Sequence, residues 1–237
     1  MNNSMFDTVI ISGGNIDRDF ALVFLKEILK ENWKKDEKGR KAKTNEVRLV
    51  AADHGVDFFV GTDFVPDFAI GDFDSISASG KAFMQKHPEM QVIRLKPEKD
   101  DSDTQSACRF AFEKGAEKIL ILGATGSRLD HVISNLGLLV WAKDCGKKIV
   151  LADANNYIEL IESGRMLHKT GQFGKYVSFF PLGSDVEQLS LSGFKYALQN
   201  YHLRASDCGL TVSNEMQEEC CRVEYASGNL IMIQSRD

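Results

Sequence analysis

The first two thirds of the chain alternate short apolar runs with segments of helical periodicity. The runs predicted to be buried strands are residues 8–11, 47–52, 68–70, 92–95, 119–122 and 148–152. Apolar residues recur at helical spacing in segments 20–29 and 103–114 and around Ile133, Leu136 and Val140. Strands that alternate with helices form a mostly parallel sheet covered on both faces. We therefore predict an α/β domain with a Rossmann-like sheet over residues 1–154.

The pattern changes after about Asn155, where short apolar runs are separated by glycine-containing turns. The runs predicted to be strands are residues 157–161, 166–169, 176–180, 186–191, 196–198, 220–225 and 230–233. Ser227, Gly228 and Asn229 have the composition of a hairpin turn. Since long amphipathic helices are absent from this pattern, residues 155–237 are predicted to form a second, all-β domain.

Carboxylates follow most of the predicted parallel strands. They are Asp53, Asp72, Asp74, Asp100 and Asp103, together with Asp130 after the loop that ends the fifth strand. The carboxyl ends of parallel strands share one edge of a sheet, which is where ligands bind in such folds. One aspartate-rich turn by itself is more often a cap or a solvated loop. Together, these oxygen ligands predict a site for magnesium and a polyphosphate, with Asp101 facing solvent.

A glycine-rich loop, residues 123–128, joins a predicted strand to a helix. Its backbone amides can cradle a phosphate, and Arg128 can contact phosphate oxygens in bidentate fashion. The spacing of a P-loop is absent, so a simple turn is the alternative interpretation. For His131, we favour a structural role.

Composition narrows the class of protein. An apolar fraction of 43% and a charged fraction of 27% in 237 residues are ordinary for a soluble globular protein. A net charge of −5 argues against a nucleic-acid partner, and no apolar run is long enough to span a membrane. The five cysteines lack metal-site spacing, and the first residues lack the features of a signal peptide. These features predict a cytoplasmic protein.

Five motifs occur in a characteristic order. They are Ala52-Asp53-His54-Gly55, Gly71-Asp72-Phe73-Asp74-Ser75, Lys99-Asp100-Asp101-Ser102-Asp103, the glycine loop continuing through Arg128, Asp130 and His131, and Thr211-Val212-Ser213-Asn214. In this order they resemble the thiamine pyrophosphokinase family. The resemblance implies an α/β domain followed by a β-sandwich-like domain. It also implies diphosphate transfer from ATP to the hydroxyethyl oxygen of thiamine, which gives thiamine diphosphate and AMP.

The resemblance also implies roles for individual residues. Metal-binding and catalytic roles fall to Asp72, Asp74, Asp100 and Asp103, with Asp100 either a magnesium ligand or the base. ATP-binding roles fall to Asp53, Thr125, Gly126, Ser127, Arg128 and Asp130. Thiamine-binding roles fall to Thr211, Ser213 and Asn214. A homodimer with active sites at its interface is implied as well.

The sequence departs from the family pattern at two positions, and two alternative functions are compatible with it. His54 replaces a glycine in the wall of the nucleotide site, and Ser127 stands where glycine is common. A different alcohol acceptor for the same chemistry is one alternative. A non-catalytic sensor of nucleotide or thiamine is the other.

Overall fold

A computed structural model describes residues 6–31, 33–35, 41–43, 47–96, 100–126, 128–207 and 209–237. The helices are α1 (Arg18–Glu31), α2 (Val56–Phe59), α3 (Ala78–Lys86), α4 (Asp103–Glu113) and α5 (Leu129–Asp144). The first eight strands are β1 (Thr8–Ile11), β2 (Trp33–Lys35), β3 (Lys41–Lys43), β4 (Arg48–Ala52), β5 (Phe68–Gly71), β6 (Gln91–Arg94), β7 (Lys118–Leu122) and β8 (Lys148–Ala152). The remaining strands are β9 (Asn156–Ile161), β10 (Arg165–His168), β11 (Tyr176–Pro181), β12 (Val186–Ser192), β13 (Leu198–Leu203), β14 (Asn214–Glu215), β15 (Cys220–Glu224) and β16 (Leu230–Ser235).

The unit Asn3–Ala154 contains a parallel sheet. Its strands lie in the order β8-β7-β1-β4-β5-β6, and every neighbouring pair is parallel. The chain therefore builds the sheet outwards from β1 in one direction, then returns to the other side of β1 with β7. This reversal opens a crevice at the carboxyl ends of β1 and β7, where α/β sheets bind ligands.

The elements of this unit follow the predicted pattern closely. Residues of β1 and β7 that were predicted to be buried have exposures of 0–1%. The N-cap of α4 is Ser102, whose hydroxyl accepts a hydrogen bond from the Gln105 amide at 3.1 Å. The sequence pattern did not predict the antiparallel pair that β2 forms with β3 after α1 ends at Glu31; residues 32 and 36–40 lie outside the described ranges.

Helix α5 forms as predicted but buries a different face. Leu138, Leu139 and Ala142 are buried, whereas Ile133 is 70% exposed and Leu129 is 77% exposed. Of the three predicted apolar positions, Ile133 is therefore exposed, while Leu136 and Val140 are partly buried. Within the described ranges, no helix combines the length and apolar character needed to cross a membrane.

The unit containing Asn155–Asp237 has two antiparallel sheets. Its strands lie in the orders β14-β11-β16-β9 and β10-β15-β12-β13. Side chains from both sheets share one hydrophobic cluster, in which Val177 and Phe179 meet Leu189 and Val223. This common cluster forms the core of the all-β unit.

The predicted hairpin turn over residues 227–229 is wrong. Among the residues that the structure describes, β15 pairs only with β10 and β12, and β16 pairs only with β9 and β11. The turn therefore carries the chain from one sheet to the other. Gly228 allows this crossing because its φ is +107° and a methyl group there would lie 2.4 Å from the Asp185 carbonyl oxygen.

Candidate active site

A cavity of about 500 Å³ opens where the strand order reverses. Its wall consists of Ser12, Gly13, Gly14, Ala52, Asp53, His54, Ser75, Ser102, Asp103, Thr104, Gly123, Ala124, Gly126, Arg128, His131 and Asn135. These residues come from the end of β4, from the loops after β1, β4, β5 and β7, and from the first turn of α4 and the first two turns of α5. The cavity thus collects the ends of elements that are distant in sequence.

Three carboxylates converge beside this cavity. Oxygen atoms of Asp53, Asp72 and Asp74 all lie within 4.8 Å of one another. The neighbouring charge of Asp72 is the main reason that the pKa of Asp74 is raised, with smaller contributions from desolvation and from Asp53. A hard divalent cation would relieve this repulsion and prefers oxygen ligands, so this acidic cluster fits Mg²⁺.

The other predicted metal ligands occupy different positions. Asp103 is the first residue of α4, lines the cavity, and adds to the rise in the pKa of Asp74. Asp100 is exposed and is not a member of the three-carboxylate group. Asp101 was predicted to face solvent, but it is partly buried and its Oδ2 lies 2.8 Å from the Arg109 guanidinium. Only part of the charged run 100–103 therefore faces the candidate site.

The glycine loop packs closely against the loop that follows β1. The Gly14 amide donates to the Gly123 carbonyl oxygen at 3.1 Å. A methyl group at Gly14 would lie 2.3 Å from that same oxygen, so this contact requires glycine. Gly123 has a φ of +76°, which also favours glycine. The two loops together form one continuous backbone surface in the cavity wall.

Asn135 supports the glycine loop from α5 and was not predicted. Its side chain is 6% exposed, and its Nδ2 donates to the Ala124 carbonyl oxygen at 2.8 Å. Buried amide groups are usually hydrogen-bonded, so this bond fixes the position of the glycine loop relative to α5. A polar residue between apolar positions of a helix was the available sequence signal.

The predicted ATP-binding residues contact partners within the α/β unit. The Thr125 hydroxyl donates to Asp153 Oδ2 at 2.5 Å. Arg128 donates through Nε to Asp130 Oδ1 at 3.1 Å, and this pairing lowers the pKa of the Asp130 carboxyl. Both members of the pair are largely exposed, and Gly126 and Arg128 line the cavity. Ser127 lies outside the described residues.

The predicted thiamine-binding residues are in the all-β unit. The buried Thr211 hydroxyl donates to the Phe179 carbonyl oxygen. Asn214 is 1% exposed; its Oδ1 accepts from the Tyr196 amide at 2.9 Å and its Nδ2 donates to the Tyr196 carbonyl at 2.8 Å. Both side chains are therefore engaged inside the unit. Ser213, with a φ of +53°, is exposed.

An exposed aromatic residue adjoins these positions and was missed from sequence. Tyr196 is 54% exposed and is fixed by Asn214, while Leu210 and Val212 expose apolar surface. The Lys195 ammonium lies 5.5 Å from the Tyr196 ring and 3.0 Å from Glu215. The hydrophobic pattern placed Tyr196 in a predicted strand over residues 196–198, whereas it precedes β13 in the structure, and that pattern carries no sign that the ring is exposed.

The fold and the cavity define a class of protein. An α/β unit with glycine loops, an arginine and converging carboxylates at a strand-order reversal is typical of enzymes that act on nucleotides. The catalytic-domain pattern of thiamin pyrophosphokinase matches residues 40–151. The vitamin B1 binding domain pattern of the same enzymes matches residues 165–230.

Individual relatives agree with these matches. A thiamine pyrophosphokinase of Bacillus subtilis (strain 168) is 34% identical over 189 residues, which cover 79% of this chain and 87% of that protein. The crystal structure of a thiamine pyrophosphokinase from Bacillus subtilis superposes with a TM-score of 0.78 at 28% identity, over 97% of this chain and 99% of that one. One from Geobacillus thermodenitrificans gives 0.76 at 30% identity, over 97% of each chain. The chain belongs to the thiamin pyrophosphokinase family, which makes it a transferase and confirms the predicted resemblance.

Proposed function

We propose that the protein transfers diphosphate from ATP to the hydroxyethyl oxygen of thiamine and releases AMP. The observation that carries this proposal is the convergence of Asp53, Asp72 and Asp74 within 4.8 Å beside the cavity of about 500 Å³. A carboxylate cluster next to a backbone phosphate cradle is what polyphosphate transfer requires. The family's catalytic and vitamin B1 binding patterns both match this chain, which supports thiamine as the acceptor.

ATP binds in the cavity, with its phosphates against the glycine loop. Backbone amides of this loop and the first turn of α5 favour negative charge. When ATP binds, the Arg128 guanidinium leaves Asp130 and contacts phosphate oxygens instead. This costs little, because the ion pair is exposed and therefore weak. In this proposal Thr125, Gly126 and Ser127 contact the nucleotide, and Asp53 lies nearby. The sheet is Rossmann-like in the functional sense, since its ligand lies where the strand order reverses.

The acidic turn provides the metal site. Asp72 and Asp74 would hold Mg²⁺, with Asp103 and Asp100 as the further predicted ligands. Bound there, Mg²⁺ would neutralise phosphate charge and stabilise the charge that develops during transfer. Asp100 is exposed and lies outside the three-carboxylate group, so it is available either as a ligand or as the base that accepts the proton of the thiamine hydroxyl.

Thiamine binds to the all-β unit around Ser213. The exposed Tyr196 ring offers a π face to the thiazolium cation. Thr211 and Asn214 act through the backbone, because their side chains are buried and hydrogen-bonded. This assigns the direct contacts to Tyr196 and Ser213.

The enzyme acts as a cytoplasmic homodimer with active sites at the subunit interface. The exposed apolar side chains of Leu129 and Ile133 on α5 support a partner surface close to the cavity. The cysteines in the described ranges are free thiols, which suits a reducing compartment.

One experiment separates this function from its alternatives. Purified protein is incubated with Mg²⁺, ATP and thiamine, and the products are resolved by chromatography. We expect AMP and thiamine diphosphate in equal amounts, and strong loss of turnover in Asp72→Asn and Asp103→Asn. Release of ADP would contradict diphosphate transfer. Faster reaction with another alcohol would change the acceptor, and binding of both ligands without turnover would indicate a sensor.

A further inference from the structure

Both carboxylate oxygens of Asp53 are bonded to the acidic turn over residues 72–75. Oδ1 accepts a hydrogen bond from the Phe73 amide at 3.1 Å, and Oδ2 accepts one from the Ser75 hydroxyl at 2.5 Å. The adjacent His54 adds a third contact, with Nδ1 at 3.2 Å from the Ser75 carbonyl oxygen. The end of β4 therefore holds the turn at its middle and at its end.

The local backbone is shaped for this contact. The parallel register pairs Ala52 with Ile70, which brings Asp53 beside Gly71. A methyl group at Gly71 would lie 2.9 Å from the Asp53 Cα, so only glycine allows this approach. Asp53 has a φ of +46° and Phe73 a φ of +62°. Left-handed backbone is unfavourable at a non-glycine residue, so tertiary contacts must maintain both conformations.

The turn needs such support because it brings like charges together. Phe73 is buried at 5% exposure with the Arg94 guanidinium 5.5 Å from its ring. Asp72 and Asp74 flank this anchor, and the Asp74 amide lies 3.2 Å from Asp72 Oδ1. Carboxylate oxygens of Asp72 and Asp74 lie within 4.8 Å of each other, and two carboxylates at this separation repel one another in the absence of a cation. The hydrogen bonds to Asp53 oppose the opening of the turn.

We propose that Asp53 is a positioning residue, which clasps the turn so that Asp72 and Asp74 are already arranged for a divalent cation. This rests on the proposed function, in which the turn holds Mg²⁺. A group that orients metal ligands through hydrogen bonds changes metal affinity without being a ligand itself. Asp53 supports the metal site through the hydrogen bonds that its two oxygen atoms accept, and not through its negative charge.

The test compares variants that remove the acceptor, the charge or the donor. They are Asp53→Ala, Asp53→Asn, Ser75→Ala and the double variant Asp53→Ala/Ser75→Ala. The control variants Asp67→Ala and Asp67→Asn remove a carboxylate that accepts from the Leu49 amide at 2.8 Å, at the opposite end of the same strand pair. Binding of Mn²⁺ alone is measured by electron paramagnetic resonance. The Mg²⁺ dependence of turnover and the KM values for ATP and thiamine are measured in parallel.

We expect Asp53→Ala to weaken Mn²⁺ binding about 10-fold or more. Asp53→Asn should retain most of the affinity, because its amide oxygen still accepts from the Phe73 amide. Ser75→Ala should cause a smaller loss, and the double variant should bind no worse than Asp53→Ala, because both substitutions break one clasp. The Asp67 variants should bind Mn²⁺ like the wild type.

Other outcomes overturn the proposal. If Asp53→Asn is as damaging as Asp53→Ala while Ser75→Ala resembles the wild type, Asp53 is a direct ligand or a base. If KM for ATP rises with Mn²⁺ binding unchanged, Asp53 is a nucleotide contact. If the wild type fails to bind Mn²⁺, no metal site is being positioned. If Asp53→Ala does not fold, the Mn²⁺ affinities of Asp53→Asn and Ser75→Ala still distinguish a positioning role from a direct ligand. Absence of diphosphate transfer contradicts the proposed function, whereas Mn²⁺ binding tests the clasp separately.

Discussion

The hydroxyl of Thr104 lies 2.8 Å from the hydroxyl of Ser12, across 92 residues of sequence. Both side chains line the cavity, and both are buried, at 8% and 7% exposure. The bond connects the first turn of α4 to the end of β1, so it fixes one side of the cavity relative to the other. Because both side chains are largely buried, removing one hydroxyl leaves the other without its protein partner.

We therefore expect Thr104→Val to destabilise the protein by about 1–3 kcal/mol, because the Ser12 hydroxyl is left unsatisfied. Thermal unfolding followed by circular dichroism measures this loss. The double variant Thr104→Val/Ser12→Ala should be less destabilised than the sum of the single variants. Additive losses would mean that the two hydroxyls do not depend on each other.

Gly14→Ala should destabilise the protein by about 1–3 kcal/mol, because the new methyl group would lie 2.3 Å from the Gly123 carbonyl oxygen. It should also raise KM for ATP, since the two loops must separate. Gly137→Ala is the matched control: it lies in α5 with no described atom within 4 Å of the new methyl group. That variant should gain about 0.5–1 kcal/mol from helix propensity. Equal effects of both substitutions would contradict the steric explanation.

Asp74→Asn should raise the melting temperature in metal-free buffer while reducing turnover severely. Repulsion from Asp72 raises the pKa of Asp74, so its ionised form is unfavourable in the folded state without a cation. The substitution removes that charge and also a metal ligand. Differential scanning fluorimetry in EDTA and in Mg²⁺ measures both effects. A variant less stable than the wild type in EDTA would show that the cluster is not under electrostatic strain.

His202 should make the stability of the protein depend on pH. Its ring lies 3.0 Å from Asp185 and 2.9 Å from Glu187, and the hydrogen bond with Asp185 is the main reason that its pKa is raised. A raised pKa means that the stabilisation is full below the unfolded value of about 6.5 and is lost as pH rises through the folded value. The difference in melting temperature between wild type and His202→Gln should therefore be largest near pH 5.5–6 and disappear in alkaline buffer. A difference that does not vary with pH would exclude this ion pair as its cause.

Asn214→Ala should raise KM for thiamine and leave KM for ATP unchanged. Two hydrogen bonds from its side chain hold the backbone of Tyr196, whose exposed ring is the proposed thiamine contact. Tyr196→Ala should give the same kinetic pattern with less loss of stability, because its ring is largely exposed. Steady-state kinetics with each substrate varied in turn checks both variants. An effect confined to ATP would contradict the assignment of the all-β unit to thiamine.

Local patterns predicted the six parallel strands of the α/β unit and its helices α1, α4 and α5, because apolar periodicity follows directly from which face is buried; they did not predict α2, α3, β2 or β3. Periodicity did not predict the orientation of α5, since Ile133 and Leu138 are equally apolar and only packing selects Leu138 for the core. The turn over residues 227–229 had the composition of a hairpin, but its strands pair with partners far along the chain. Pairing depends on the whole sheet, which no local window contains.

The sequence by itself determined the class of chemistry, because carboxylates and glycines that follow apolar strand patterns are recognisable in the sequence alone. It also determined the family, through motifs distributed over nearly the whole chain. Only the tertiary structure decided which carboxylates meet: Asp53, Asp72 and Asp74 do, whereas Asp100 stays apart and Asp101 turns to Arg109. The reason is that the parallel register places Asp53 beside Gly71, and the direction of a side chain depends on such neighbours rather than on its own position in the sequence.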